Sequence, residues 1–537
     1  MPLSRSSAVS ALALTLLSGC TTDRATSPVT RIPTDAALGA EPSDPTPGTI
    51  ALEKIGQYAG AGAAAAEITA FDHVSKRLFV VNGALGTVDV LDLRVPSTPV
   101  LVSSIAVGQF GAGANSVAAH NGVVAIAIEG ATRTAPGTVA FYRSGSLELI
   151  SSVTVGSLPD MVTFTPDGRT VLVANEGEPD ASYQVDPEGS VSIIDVRNVR
   201  KPSVRTASFT AWNGQEGALR ASGIRIFGPN ASAAQDFEPE YIAVTPDGRR
   251  AWVTLQENNA MALIDIEGAY VRRIVPLGYK DHNVVGQGMD ASDRDNAVNI
   301  RPWPVYGMYQ PDAVASYKAA NGQTYLVTAN EGDARDYAGF QEETRVGSNL
   351  NAAIFTSALC NGSCTGNANL GRLTVTKTLG LDPVTGQFNA LYAFGTRSFS
   401  IWNADGLLVW DSGDDFEQRT QALASVAFNA SNSGNSFDDR SDNKGPEPEG
   451  VALGTLGKKT FAFIGLERVG GIMVYDVTQP TAPQFVTYIN TRTGATGDLG
   501  PEGIIFVPAV RSPTKSPLVI VGNEVSGTTA IFRVVLQ

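Results

Sequence analysis

One pattern recurs along most of this 537-residue chain and restricts what it can fold into. A Pro-acid pair opens a short apolar run, a turn follows, a second β-rich run ends in an acid, and a third run comes next. PDMVTFTPDGRTVLVANEGE (159–178) leads into GSVSIIDV, and PEYIAVTPDGRRAWVTLQEN (239–258) leads into AMALIDI. PDAVASYKAANGQTYLVTANEGD (311–333), PEGVALGTLGKKTFAFIGLER (448–468) and PEGIIFVPAVRSPTKSPLVIVGNE (501–524) keep the same plan. Looser versions occupy 66–83 and 115–130, and a divergent one runs through 391–413. Runs of four to seven residues, rich in Val, Ile, Phe and Thr, are strands rather than helices. The Thr-Pro-Asp-Gly turns suit hairpins, because Pro presets φ and Gly accepts a positive one.

A more polar fourth run, such as PVLVSSIAV or PQFVTYIN, follows several units. Four antiparallel strands, repeated, predict an all-β chain: a β-propeller of eight, alternatively seven, four-stranded blades. The last unit (501–537) lacks its fourth strand, while TIALEKIGQYAG (49–60) has no unit of its own. The N-terminal strand is therefore expected to complete that blade and close the ring, which removes exposed sheet edges. Long insertions (197–238, 275–310, 334–370 and 429–447) are expected to emerge on one face as a lid.

In a propeller the first strand of each blade lines the central channel and the second returns to the same face. The Pro-acid pairs and the acids closing the second strands should then meet around one mouth. The repeated Asn-Glu-Gly turns at 175–177 and 330–332 would cap equivalent strands. Such a funnel collects Asp160, Glu257, Asp312, Glu467 and Glu129, together with eight candidate metal ligands. These are Glu176, Glu178, Glu240, Glu331, Asp333, Glu449, Glu502 and Glu524. Crowded carboxylates need counter-cations or raised pKa values. Hard divalent cations with oxygen ligands answer that need, calcium first, magnesium or manganese as alternatives. Three histidines argue against a His-built zinc or iron centre. The competing expectation is a salt-bridged rim, with Arg335 and Arg468 as the available cations. The insertion GMDASDRDNAVNI (288–300) adds Asp290, Asp293 and Asp295 as metal candidates, and FDDRSDNKGPEPEG (437–450) carries another acidic cluster. The first of these lacks EF-hand spacing.

The net charge of −14 argues against nucleic acid or an anionic membrane surface as a partner and favours cations. Arg5 precedes an apolar run (8–17) too short to span a bilayer, which ends in Leu17-Ser18-Gly19-Cys20. This resembles a bacterial lipoprotein signal, in which Cys20 receives the lipid. The implied division is a signal peptide at 1–19, a Pro/Ser/Thr-rich tether at 20–49 and a propeller at 50–537, exported, lipid-anchored to the cell envelope and monomeric. Cys360 and Cys364 in CNGSC read as a short-loop disulfide in an exported chain.

ANEGEPD, DASDRD followed by WPVYGMYQPD, the NEGDARDY turn and DDRSDNKGPEPEGV resemble the choice-of-anchor I family over roughly residues 50–537. That family is similar to mesenchyme-specific surface glycoproteins of biomineralising animals, and some relatives are labelled alkaline phosphatases. The PEGI and PEGV turns are also similar to those of phytase-like esterase propellers. The resemblance implies an envelope propeller that binds divalent cations and a ligand or partner through its acidic face. Its alternative is a metal-dependent phosphoesterase, in which carboxylate-held cations activate water, with Glu331, Asp333 and a phosphate-clamping Arg335 as catalytic candidates. A Gly-x-Ser-x-Gly elbow is absent from the sequence, so a covalent route has no support.

Overall fold

A computed structural model describes residues 48–537, so the expected leader, Cys20 and most of the tether lie outside the described residues. Among those residues the chain forms seven four-stranded antiparallel sheets. Their first strands are Thr69–Asp72, Ala114–His120, Pro159–Phe164, Pro239–Val244, Val314–Lys318, Pro448–Leu456 and Pro501–Val507. Each first strand adjoins that of the next sheet, and the seventh adjoins the first. The sheets are called first to seventh in that order.

Burial follows from stacking. The second strand of a sheet is sandwiched between two neighbouring sheets, so Thr170–Asn175 is buried at every position but its first. Outer strands face water, as in Val100–Ala106, where Ile105 alone is buried. That is why the fourth runs read as more polar. A separate apolar cluster fills each junction between sheets. Phe79 meets Ile126 between the first and second. Trp252 meets Leu326 between the fourth and fifth. Leu78 meets Ile520 between the first and seventh, closing the circuit of cores.

The N-terminal strand does complete the last sheet. Ile50–Ala59 pairs antiparallel with Thr528–Leu536, Ile50 opposite Leu536 and Ala59 opposite Thr528. Of the two expected counts, the described residues form the smaller, seven sheets rather than eight, because the run at 391–413 builds no sheet of its own. Ser398–Asn403 pairs with Thr324–Asn330, and Leu408–Asp411 follows as the outer strand of the same fifth sheet. One long insertion between its second and third strands made a single unit look like two.

That insertion and the one preceding the fifth sheet pack together instead of forming separate lid loops. Tyr279–Asp281, Tyr306–Met308 and Tyr392–Ala393 make a three-stranded sheet. Trp303, Val346, Phe355, Leu373 and Phe388 give the two insertions a core of their own. Cys360 and Cys364 are disulfide-bonded within it.

Candidate functional site

The Pro-acid pair has a definite local structure. In the third, fourth, sixth and seventh sheets the pairing of the first two strands shifts register directly after the proline. The shifts lie between Pro159 and Val162, Pro239 and Ile242, Pro448 and Val451, and Pro501 and Ile504. Proline has no N–H to give the ladder, so an irregularity there costs little. A bulge re-aims the residue inside it, and here that residue is Asp160, Glu240, Glu449 or Glu502. All four line one axial cavity of about 520 Å³.

The glycines of the two Pro-Glu-Gly turns let adjacent first strands close in at the axis. A β-carbon on Gly450 would stand 2.0 Å from the Glu502 carbonyl oxygen, and one on Gly503 would stand 2.7 Å from that of Glu67. In the Asn-Glu-Gly turns the glycines Gly177 and Gly332 take φ values of +71° and +89°. The asparagines brace the third strand. Asn175 Nδ2 donates to the Ser192 hydroxyl at 3.0 Å, and Asn330 Nδ2 to the Ser400 hydroxyl at 2.8 Å. The repeated turn is therefore a device that ends a strand and leaves a glutamate at the mouth.

Seven carboxylates line the cavity: the four bulge acids with Asp312, Glu331 and Asp333. Burial first, then the neighbouring acids, push Glu240, Glu449 and Glu502 well above the ordinary carboxylate range. Burial and Glu178 raise Asp160 to about 7. Burial and Glu331 bring Asp312 to about 7 as well. After burial, Asp312 is the neighbour that does most to raise Glu240. Glu240 Oε2 and Glu449 Oε2 are buried and have no hydrogen-bond partner within the protein.

One sector of the rim is quite different. Lys444 Nζ reaches Glu331 at 2.5 Å and Glu447 at 3.1 Å. Arg440 and Arg468 close on Glu447 at 2.5 and 3.0 Å. Against its burial, these three cations hold the Glu447 carboxyl down to about 2. Glu467 pairs with Arg468 at 2.9 Å. Although Glu331, Glu447 and Glu467 converge closely enough to hold an ion, three basic side chains already occupy that place. In this sector the rim is salt-bridged.

Arg335 belongs to this paired class. Its guanidinium is buried and bonds Asp236 Oδ1 at 2.6 Å, the Asp236 carbonyl at 2.8 Å and Glu238 at 3.1 Å. The expected phosphate clamp is engaged elsewhere. Of the other candidates, Glu178 pairs with Arg133, and Glu176 sits beside Asp160 outside the cavity lining. Glu524 neighbours Glu67 and Glu502. Asp293 is taken by Arg372. Asp290 and Asp295 come together away from the axis, with Asp438 as their third member.

Sequence reasoning missed Glu67, which burial and Glu524 raise to about 7. It opens the first unit without a preceding proline, so the Pro-acid signature passes over it. Also missed were the buried pairs that tie the insertions into one layer. Arg225 binds Glu342, and Arg397 binds Glu417 at 2.7 Å. The two pairs span 117 and 20 residues, and no local signal marks either.

The choice-of-anchor I domain family matches residues 67–480. The chain belongs to that family. The family places it among cell-surface or envelope proteins. Among the described residues no helix is long and apolar enough to cross a membrane. Gigasin-3a of Magallana gigas is 31% identical over 187 residues, covering 31% of this chain and 66% of that protein. A mesenchyme-specific cell surface glycoprotein of Strongylocentrotus purpuratus is 28% identical over 240 residues, covering 38% of this chain and 30% of that one. The chain therefore spans less than two thirds of either relative. Among solved structures, Kuenenia stuttgartiensis hydrazine synthase aligns with a TM-score of 0.46 at 12% identity, covering 89% of this chain and 98% of that one. The β-propeller domain of Cps50 (Swd1) from Myceliophteria thermophila gives 0.44 at 8%, covering 90% and 99%.

Proposed function

We propose that this choice-of-anchor I protein is a lipid-anchored envelope propeller that binds divalent cations in its axial cavity, calcium before magnesium or manganese. Through those cations it engages a ligand or partner. The observation that carries this reading is the pair of buried, unpartnered oxygens, Glu240 Oε2 and Glu449 Oε2, in a cavity ringed by acids. An oxygen left without a donor costs about 1–3 kcal/mol, and a cation supplies what the protein withholds. An all-oxygen ligand set of this kind suits hard cations.

Thermal unfolding tests it. The EDTA-stripped chain should gain stability with calcium by mass action, about 2.7 kcal/mol when calcium stands at 100 times its dissociation constant. The gain should shrink in the double variant Glu240→Gln/Glu449→Gln. No gain with any of the three cations, or one unchanged in that variant, would remove the reading.

Hydrolysis of a phosphate ester by cation-held water is the alternative, with Glu331 and Asp333 at the cavity wall. It has less support, because Arg335 is engaged with Asp236 and Glu238. Turnover of p-nitrophenyl phosphate that disappears with EDTA and in Glu331→Gln would favour it.

A further inference from the structure

A second cluster of carboxylates lies outside the axial cavity, in the layer built by the insertions. One oxygen each from Asp290, Asp295 and Asp438 falls within 4.8 Å of the others. Asp290 and Asp295 come from a single loop, whereas Asp438 arrives from the insertion that precedes the sixth sheet. We propose that these three aspartates form a calcium site that staples the two insertions together, independently of any cation in the axial cavity.

Four observations support the assignment. Asp438 is 1% exposed, and its Oδ2 is buried with no hydrogen-bond partner within the protein. Its Oδ1 accepts from the Ser441 hydroxyl, which fixes the carboxylate plane and leaves the other oxygen free for an ion. Asp290 is fully buried, with Oδ2 accepting the Asn299 N–H at 2.5 Å, and Asp295 Oδ2 accepts from Asn299 Nδ2 at 3.0 Å. One asparagine therefore positions both loop carboxylates, as supporting residues around a metal site do.

The charge is the third point. Among the described residues no lysine or arginine forms an ion pair with any of the three. Arg397 lies beside them but is directed elsewhere, donating to the Asp290 carbonyl, to Glu417 and to the carbonyls of Ser441 and Asn443. Three carboxylates crowded without an ion-paired cation repel one another; Arg397 is engaged with backbone and Glu417, and Arg301, which feels the Asp295 charge, donates to the Pro302 and Cys360 carbonyls.

Fourth, the dimensions and donors select the ion. Calcium binds oxygens at about 2.3–2.6 Å, so two of its ligands stand at most ~5 Å apart. The 4.8 Å envelope fits inside that limit. Magnesium dehydrates reluctantly and is seldom held by an all-protein carboxylate cage. A purely oxygen donor set also disfavours zinc and copper.

Terbium, which replaces calcium and is sensitised by tryptophan, provides the probe. Trp303 Nε1 donates to the Met289 carbonyl at 3.0 Å, next to Asp290, so the indole is a built-in antenna. The experiment uses the full chain stripped with EDTA. Terbium should give sensitised emission that calcium displaces. Asp438→Asn should weaken terbium binding about tenfold or more, since losing a direct ligand costs at least what losing a supporting residue does. Asp295→Asn, at a half-exposed position, should do the same if Asp438→Asn folds poorly. Glu449→Gln, in the axial cavity, removes only an axial contribution and should leave the Trp303-sensitised emission at the three aspartates in place. No calcium-displaceable emission, or equal emission from wild type and either aspartate variant, overturns the proposal. Loss of emission in Glu449→Gln with retention in Asp438→Asn also overturns it, and would assign all binding to the axis.

Discussion

Glu447 and Glu449 stand two residues apart in Pro446-Glu447-Pro448-Glu449 and meet opposite fates. Glu447 turns to the rim, where Arg440, Lys444 and Arg468 hold it ionised down to about pH 2. Glu449 occupies the bulge, where burial and the acids Glu467, Glu331 and Glu502 push its carboxyl far up. The fourth sheet repeats the placement, with Glu238 against Arg335 and Glu240 beyond the proline facing the axis, although burial there outweighs the single arginine and raises Glu238 as well. Glu-Pro-Glu is a sorting device. The bulge after proline sends one acid to the cations and the other to the cavity. One face of the molecule thereby holds a satisfied acidic cluster and an unsatisfied one side by side. Stability resides in the first, and binding is expected of the second.

The comparison can be broken by mutation. Glu447→Ala should be the most damaging change, costing about 3–5 kcal/mol because it leaves three basic groups without their carboxylate. Urea unfolding would measure it, and a neutral result would mean the rim is solvated rather than paired. Gly450→Ala should cost about 1–3 kcal/mol, since the added methyl meets the Glu502 carbonyl at 2.0 Å and the inner strands must separate. Glu449→Gln should go the other way. Gln needs no proton to sit neutral among these acids, so the unfolding midpoint of the metal-free protein should rise by the equivalent of about 1 kcal/mol, while the calcium-induced gain falls.

pH sharpens the same contrast without mutation. Asp160 and Asp312 titrate near 7 in the folded chain, against about 4 when unfolded. Between those values the folded state holds more protons than the unfolded one, so metal-free stability should fall as pH rises from about 4 to 7. Glu447 has the opposite sign. Its folded value of about 2 lies below its ordinary one, so its contribution is present above about pH 4.3 and is lost as pH falls toward 2. Calorimetry in EDTA should therefore show a maximum near pH 4–5. A profile flat from pH 4 to 7 would mean that the axial acids are not crowded.

Much of the architecture was legible because its signals are local. Alternation, turn chemistry and the Pro-acid spacing each act within a few residues, and they gave the strands, the shared register of the acids and the closing N-terminal strand. The unit count stayed open between eight and seven where locality failed, since the insertion 331–397 separates the second and third strands of one sheet. Most of the axial acids were readable for the same reason as the strands. Asp438 as partner of Asp290 was not, and Arg335 stood open between rim cation and phosphate clamp until Asp236 and Glu238 fixed it as the former.

Sequence alone, then, determined that acids would gather at one mouth, because each is placed by its own hairpin. It did not determine which acids would be free. Lys444 reaches Glu331 from 113 residues away, and Arg335 reaches Glu238 from 97. An acid's charge state depends on burial and on whichever cation lies within a few ångströms. Both are set by which distant segments the fold brings together.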